Sequence, residues 1–529
     1  MTFFFDATDS RGTTRRVAAR QGQTCLDALY LAGLLPSRAL CAGMGRCGLC
    51  AMTFSPASPP LDNDRKRISA EELAQGVRLA CLHPAPIDGS VRLATLFPEA
   101  DVAEKDDKPI VPLPVTEVEE RILAVDLGTT TLEWRVEQGG DVLAQGRELN
   151  PQFGAGSEVM SRLAFAQREG PEALQSVLLR SLRAVLRDHG PVGTMSVAGN
   201  PAMIHLLLGL DCSSLASAPY GLNYAGDREE QVAADLPACY VPPLLSPFVG
   251  ADLSAGLTAL MYGKDGPSPV GFPFLLADMG TNGEFILALS EDDFLACSVP
   301  LGPALEGVGF PHGTMAGPET ITGFDLKPTG LSPRFYGAEA GPSGAPHASA
   351  LGITGTGYFS LLAGLLTARC LDEAGSFLPN GGPLASRLLS KLDKHEGEAY
   401  LPLPFDMALY ASDVEEMLKV KAAFNLAVSE LLEAAGLRPA DLADVLLAGN
   451  MGLHVCPEDM LRLGFLPRVL SARIHAAGNT SLHGASLLCR DPEARKWARR
   501  MARRCRTLEL AGDAAFGEKY LQRMRFIYV

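Results

Sequence analysis

Two stretches of this 529-residue chain follow one plan. RILAVDLGTTTLEW (121–134) is an apolar run, a glycine–threonine turn and the start of a second run, and FLLADMGTNGEFILAL (274–289) repeats it. The aspartates are Asp126 and Asp278, 152 residues apart (278 − 126). Solenoid repeats have periods of roughly 20–50 residues, so an offset this long points to a duplicated domain. Two similar lobes are expected, each bringing one Asp-Gly-Thr turn to a shared cleft. Such turns at strand ends suit the phosphates of a nucleotide. Glycines let the backbone approach, N–H groups and threonine hydroxyls donate, and the carboxylate holds Mg²⁺ directly or through water. A single copy is also ordinary turn chemistry; the second copy is what makes the phosphate reading specific.

The second constraint is CAGMGRCGLC (41–50). Five residues separate Cys41 from Cys47, two separate Cys47 from Cys50, and thirty separate Cys50 from Cys81. This is the ferredoxin C-x₄-C-x₂-C…C pattern for [2Fe–2S] with one extra residue in the first gap, a gap shared by vertebrate-type ferredoxins. Gly43, Gly45 and Gly48 let the loop wrap an anionic cluster closely and aim N–H groups at its sulfurs. Zinc sites usually need two short knuckles, and only one is present. Cys25 reads as a packing residue of a helix. His83 is expected to be a solvent-facing loop residue rather than a replacement ligand.

Composition narrows the class. A net charge of −15 argues against a nucleic-acid binder, whose affinity rests on basic phosphate contacts. No apolar run approaches the ~20 residues of a membrane span. The start, MTFFFDATDS, lacks the basic region of a signal peptide, so the cytoplasm is the expected compartment. Residues 1–97 read as a β-grasp domain: a hairpin, a helix capped by Thr24, the cysteine loop, then returning strands at GVRLACLHP and GSVRLATLF. Residues 98–120, acidic and proline-rich, read as a linker. The first lobe is expected over 121–270 and the second over 271–529, ending in a basic amphipathic helix whose polar face is read as solvated, with a docking surface as the alternative.

The turns resemble those of the actin-like ATPase superfamily of sugar kinases, actin and heat-shock chaperones. VDLGTTT is similar to its first phosphate motif, ADMGTNGE to its second and LLAGNMG (446–452) to its adenosine motif. The resemblance implies an α/β fold, with a ferredoxin-like β-grasp domain preceding a duplicated, two-lobe actin-like (ribonuclease H-like) ATPase. It also implies roles. Asp126 and Asp278 would serve Mg²⁺ and orient the attacking water. Gly128, Thr129, Thr130, Gly280, Thr281, Asn282 and Gly283 would line the phosphates of ATP, and Gly449 and Asn450 its adenosine end. Many relatives carry two glycines and an aromatic where this chain has Gly449, Asn450 and Met451. GITGTG (352–357) either lines the cleft through Gly355 or is only a tight turn. Asp252 and Glu306, with Glu158 behind them, are candidate bases or Mg-water ligands; each could instead be a capping or salt-bridging acid. His205 reads as a core or interface histidine.

An iron–sulfur domain on an ATPase suggests electron transfer that is uphill without ATP. Ferredoxin centres of this type sit near about −400 mV. At ~59 mV per tenfold, a gap of roughly 200 mV leaves about one acceptor in two thousand reduced. The whole chain resembles the reductive activators of corrinoid proteins. An ordered series carries the resemblance: CAGMGRCGLC, RLACLHP, AVDLGTTT, NPQFGAGSEVMSRL, VAGNPAMIHLLLGLD, PPLLSPFVGADLSAG, ADMGTNGE, LGPALEG, GITGTG, LLAGNMG, LGFLP and GNTSLHGA. It implies a [2Fe–2S] cluster, ATP and Mg²⁺ as cofactors. The partners it implies are a corrinoid protein of a methyltransferase system, reduced from Co(II) to Co(I), and a low-potential electron donor. A homodimer is one assembly open to it. Better-known members often carry a further segment before the ATPase, and MAGPET (315–320) is less rich in glycine and alanine than expected. The alternatives are another ATP-driven low-potential donor, a redox-sensing ATP-binding regulator, or a small-molecule kinase with a redox brake.

Overall fold

The structure is a computed structural model that describes residues 2–35, 43, 45, 48–93, 118, 120–263, 271–306, 309–327, 330–337, 349–395, 397–510 and 515–529. Most of the expected linker, 98–120, lies outside the described residues.

Near the N-terminus, β1 (Thr2–Thr8) and β2 (Thr14–Arg20) form the hairpin, with Phe5 opposite Val17 and both buried. Strands β3 (Ala51–Ser55), β4 (Val77–Leu79) and β5 (Ser90–Arg92) complete a five-stranded sheet in the order β2-β1-β5-β3-β4. The helix Cys25–Leu31 starts where the Thr24 hydroxyl accepts from the Asp27 N–H at 3.1 Å. Two short helices, Asp62–Arg67 and Ala70–Ala74, follow β3. The sequence reading has no element between the cysteine loop and GVRLACLHP. Alternation over a five-residue strand and the charged run DNDRKR are too weak to announce themselves locally.

The two Asp-Gly-Thr plans fold alike. β6 (Arg121–Leu127), β7 (Thr131–Gln138) and β8 (Asp141–Leu149) make one antiparallel meander. β12 (Phe274–Met279), β13 (Asn282–Ser290) and β14 (Asp293–Pro300) make the other. The first belongs to a six-stranded sheet with β9 (Thr194–Gly199), β10 (Arg228–Glu230) and β11 (Ala238–Val241), ordered β10-β11-β9-β6-β7-β8. In the second half, β15 (Thr320–Lys327), β16 (Gly330–Phe335) and β17 (Gly352–Ile353) form one small sheet; β18 (Asp393–His395), β19 (Glu398–Leu403) and β20 (Met407–Tyr410) form another. Then β21 (Asp444–Ala448), β22 (Ile474–Gly478) and β23 (Cys505–Thr507) extend the second meander to β22-β21-β12-β13-β14-β23.

Strand β12 reads as unbroken apolar sequence because both faces are covered. Leu275 and Ala277 face one core with Phe285 and Leu287, while Phe274 and Leu276 face the other with Ile286 and Ala288. The long helix Ala411–Ala435 lies on the first side, its Phe424 ring edge-on to Phe285 at 5.0 Å. Helix Ala251–Tyr262 covers the second through Leu253, Leu257 and Leu260.

By chain contacts the molecule divides into two compact units. One comprises Met1–Met195, Ala202–Tyr224 and Glu229–Cys239; the other comprises Ser196–Pro201, Ala225–Arg228 and Tyr240–Val529. The N-terminal sheet and the first meander therefore share a unit, and helix Ala251–Tyr262 goes with the second meander. No helix among the described residues is long and apolar enough to cross a membrane.

Candidate iron–sulfur and nucleotide sites

Cys41 and Cys47 lie outside the described residues; Cys50 and Cys81 are buried, with their sulfurs 3.3 Å apart. That is far beyond the ~2.05 Å of a disulfide. It is close to the roughly 3.7 Å between two thiolates on one tetrahedral metal with bonds of about 2.3 Å. The Cys81 sulfur, opposed by burial and helped by the N–H groups of Cys81, Cys50 and Ala80, holds the Cys50 thiol below its ordinary range. N–H groups aimed at sulfur are what an anionic cluster requires. Gly43, Gly45 and Gly48 all take positive φ (82°, 65° and 72°), and a Cβ on Gly45 would meet the Leu82 side chain at 2.6 Å. The thiols, the donors and the glycine loop fit a [2Fe–2S] cluster.

The Cys81 segment is stitched down on both sides. Ala80 N–H donates to Cys50 O at 3.0 Å, Leu26 N–H to Ala80 O at 3.1 Å and Cys25 N–H to His83 O at 2.9 Å. His83 corrects its sequence reading: it is 3% exposed, not solvent-facing. Its Nε2 lies 2.7 Å from Asp64 Oδ2 and its Nδ1 2.6 Å from Ser58 Oγ, so both ring nitrogens are engaged by protein partners. Asp64 also accepts from Leu79 N–H at 2.9 Å and from Leu61 N–H at 2.7 Å. Burial would raise its carboxyl, but these donors outweigh burial and hold it low. Cys25 is buried in its helix, as expected.

In the first lobe Asp126 is the penultimate residue of β6, opposite Glu133, and the tight turn needs Gly128, whose Cβ would meet Thr131 O at 2.9 Å. Thr129 and Thr130 are buried in that turn. Glu158 is exposed at the start of helix Val159–Glu169, where its N–H donates to Ser161 Oγ at 3.3 Å. His205 is fully buried and edge-on to Tyr224 at 6.2 Å, in keeping with the core reading.

In the second lobe Asp278 sits at the end of β12, directly opposite Glu284 on β13. The turn is drawn tight by Gly280 N–H donating to Asn282 O at 3.2 Å, while Thr281 O accepts from Leu301 and Gly302 N–H at 3.1 and 2.9 Å. Gly283 is a packing glycine, since a Cβ there would meet Leu301 at 2.6 Å. The turn of LLAGNMG comes directly against the aspartate. Gly449, at φ +76°, would place a Cβ 2.5 Å from Asp278 Oδ1. The side chains of Asn450 and Glu306 lie outside the described residues. Gly355 opens helix Gly355–Thr367, and a Cβ there would overlap Leu305 O, which gives this glycine a packing role.

Sequence reasoning singled out Asp252 but missed its partner. Asp252 Oδ1 accepts from Leu253 N–H at 2.8 Å, and its carboxyl is hydrogen-bonded to Glu284, whose Oε2 lies 3.5 Å from Gly250 N. Burial, then the charges of Asp252 and Asp278, push the Glu284 carboxyl well above the ordinary carboxylate range. Burial likewise raises Asp252. The doubly charged form of the pair is therefore disfavoured beside Asp278. The available signal was the acid itself: Glu284 is the one charged residue of β13, just ahead of its apolar run FILAL. Among the described residues no group of three His, Cys, Asp or Glu side chains is placed to hold a metal. Mg²⁺ at nucleotide sites normally keeps waters and takes only one or two carboxylates plus phosphate, and the oxygen donor of Asp278 fits that use.

The basic C-terminal helix Pro492–Arg504 has most of its polar face paired within the chain: Arg499 with Asp227, Arg504 with Asp292 at 2.7 Å and Lys496 with Glu493 at 2.6 Å.

Together the folds and sites define a class: an iron–sulfur electron carrier joined to an ATPase of actin-like fold. Three family models match in order along the chain. They are the 2Fe-2S iron-sulfur cluster binding domain over 8–86, the RACo middle region over 122–264, and the C-terminal domain of RACo, the ASKHA domain, over 273–528. The chain belongs to the family of reductive activators of corrinoid proteins. It is 26% identical over 445 residues to the corrinoid activation enzyme RamQ of Eubacterium limosum, covering 78% of this chain and 72% of that one. It is 27% identical over 419 residues to the [Co(II) methylated amine-specific corrinoid protein] reductase of Methanosarcina barkeri, covering 68% of each. The solved structure of a reductive activator for corrinoid, iron–sulfur protein matches its fold with a TM-score of 0.65 at 21% identity, over 98% of both chains.

Proposed function

We propose that this chain passes single electrons from a [2Fe–2S] cluster, held by Cys41, Cys47, Cys50 and Cys81, to a corrinoid protein, reducing Co(II) to Co(I) at the expense of ATP. The observation that carries the reading is the facing pair of buried thiols, Cys50 and Cys81, in a chain that also presents an Asp-Gly-Thr turn closed by Gly449. The cluster, when bound, supplies a one-electron carrier; the protein insulates it and fixes its ligands. Asp278 would hold Mg²⁺ through water and align the triphosphate, with Asp126 serving the matching turn of the first lobe. Burial raises both carboxyls of the Asp252–Glu284 pair next to Asp278, which disfavours its charged form and lessens the negative charge that this corner of the site turns to the phosphates. An external low-potential donor recharges the cluster, and the reduced thiols suit the cytoplasm.

Iron analysis and EPR of the anaerobically reduced protein test the cofactor. A [2Fe–2S] signal is expected, with loss of stoichiometric iron in Cys81→Ser; a [4Fe–4S] spectrum would contradict the reading. For the ATPase, Asp278→Ala should lower steady-state phosphate release by about a hundredfold or more. Unchanged hydrolysis in that variant removes Asp278 from the mechanism.

A further inference from the structure

The stretch NPQFGAGSEVMSRL (150–163) is part of the family pattern but has no role in the site as described. Its contacts converge on the first phosphate turn. Asn150 Nδ2 donates to Gly128 O at 2.7 Å, and Asn150 N–H donates to Thr130 O at 2.8 Å. Between them, the Arg162 guanidinium donates to Thr129 O. Three successive carbonyls of the Asp126 turn are thus held by one segment. Arg162 is fully buried, and its head is fixed from other sides too. Its Nε donates to Gly156 O at 2.9 Å, Met203 Sδ lies 3.2 Å from its NH1, and it sits 5.9 Å from the Phe153 ring centre.

The segment is shaped for this. Asn150 Oδ1 accepts from Gln152 N–H at 2.8 Å, which turns the chain into the 3₁₀ turn Pro151–Ala155 and leaves its amide nitrogen for Gly128. Gly156 has φ +155°, and a Cβ there would overlap Ser161, so only glycine brings its carbonyl under Arg162.

In a trans peptide the carbonyl of one residue and the N–H of the next point in opposite directions. Holding the carbonyls of Gly128 and Thr129 against the segment therefore turns the N–H groups of Thr129 and Thr130 to the opposite side. Donors at the carbonyl end polarise each peptide and strengthen its N–H as a donor. A buried guanidinium under the turn adds fixed positive charge beneath that N–H pair. This is the arrangement that binds a phosphate without reorganisation.

We infer that Arg162 and Asn150 are positioning residues for ATP: they clamp the carbonyls of the first phosphate turn so that its N–H groups face the nucleotide's phosphates. The inference rests on the reading of that turn as a phosphate site.

The test uses the full-length holoprotein, with ATP and adenosine binding measured beside steady-state phosphate release. Arg162→Met should weaken ATP binding and lower kcat by about tenfold or more, with adenosine affinity unchanged, because adenosine has no phosphate. Arg162→Lys, which keeps the charge but not the fork, should recover part of the loss. The cluster's visible spectrum and the thermal midpoint report folding. Should Arg162→Met fail to fold, Asn150→Ala removes the neutral donor to Gly128 O together with the acceptor of Gln152 N–H, leaves the buried charge in place, and should weaken ATP binding by about threefold or more. Folded variants that bind ATP within twofold of wild type overturn the clamp. Equal losses for ATP and adenosine overturn it as well, since they reveal a general distortion. A wild-type chain that binds no ATP overturns the nucleotide reading and the clamp with it; a wild type that binds ATP beside unaffected variants overturns the clamp alone.

Discussion

At Gly449 a single hydrogen atom decides whether the second phosphate aspartate can stay where it is. The residue sits in the left-handed region, and Asp278 Oδ1 occupies the space of the absent Cβ. Gly449→Ala should cost about 1 kcal/mol of backbone strain and push the carboxylate aside. Phosphate release is expected to fall about tenfold while the iron–sulfur spectrum stays intact. Wild-type turnover in the alanine variant would remove this turn from the site. The Asp252–Glu284 pair makes a prediction in pH. Both carboxyls are raised, so the native state binds more protons than the unfolded chain above the ordinary carboxylate range. Stability is then fullest in acid and declines as pH rises through the raised values. Glu284→Gln removes one of these ionisations, so its thermal midpoint should gain on wild type as pH rises above the ordinary carboxylate range. A constant difference would show that the pair ionises normally. Glu284 and His83 were the residues least legible in the sequence. Glu284 gains its meaning from strand register, and His83 is buried by Asp64, an acid in a charged run that looks solvated. Both are non-local pairings that no local pattern announces.

At the level of elements, the helix Cys25–Leu31 meets the segment after β8 within one compact unit. Tyr30 OH donates to Pro151 O at 2.7 Å, and its ring covers Gly154, where a Cβ would overlap it. Around it stand Asp27 with Arg168 at 2.9 Å and Arg20 with Glu169. Arg168 and Arg20 are about half exposed, with side-chain values of 54% and 51%. Asp27 and Glu169 are largely buried, at 12% and 5%, but the solvated arginine ends screen the pairs to on the order of 1 kcal/mol each, less than a buried aromatic ring with a satisfied hydroxyl at about 3–5 kcal/mol on truncation. Tyr30→Ala should therefore raise hydrogen exchange in the helix strongly, and Arg168→Ala should leave it near wild type. The reverse order would show that the ion pairs hold the junction. The helix and its Thr24 cap were readable from sequence, as were the hairpin and both Asp-Gly-Thr meanders, because periodicity and turn chemistry mark them. The junction was not, since each partner taken alone is an ordinary amphipathic stretch.

At the scale of the whole molecule, the duplicated plan is borne out by the two meanders, β6–β8 and β12–β14, each within a six-stranded sheet, the first at its sheet's edge and the second extended by β23. Nearly the entire ATPase reading was carried by that repeat together with the motif series, and the cluster by cysteine spacing. The partner left no readable motif, because a docking surface has no fixed spacing. The central claim joins the two halves: ATP makes an unfavourable electron transfer from the cluster to cobalt proceed. Its most direct measurement is anaerobic. Reduced protein is mixed with a Co(II) corrinoid protein, with and without Mg-ATP, and the visible spectrum is followed. A Co(I) band is expected that grows with ATP, is nearly absent without it, and is lost in Asp278→Ala. A Co(I) yield that is the same with and without ATP would contradict the claim, as would no Co(I) across several corrinoid proteins even with a methyl donor present to trap it.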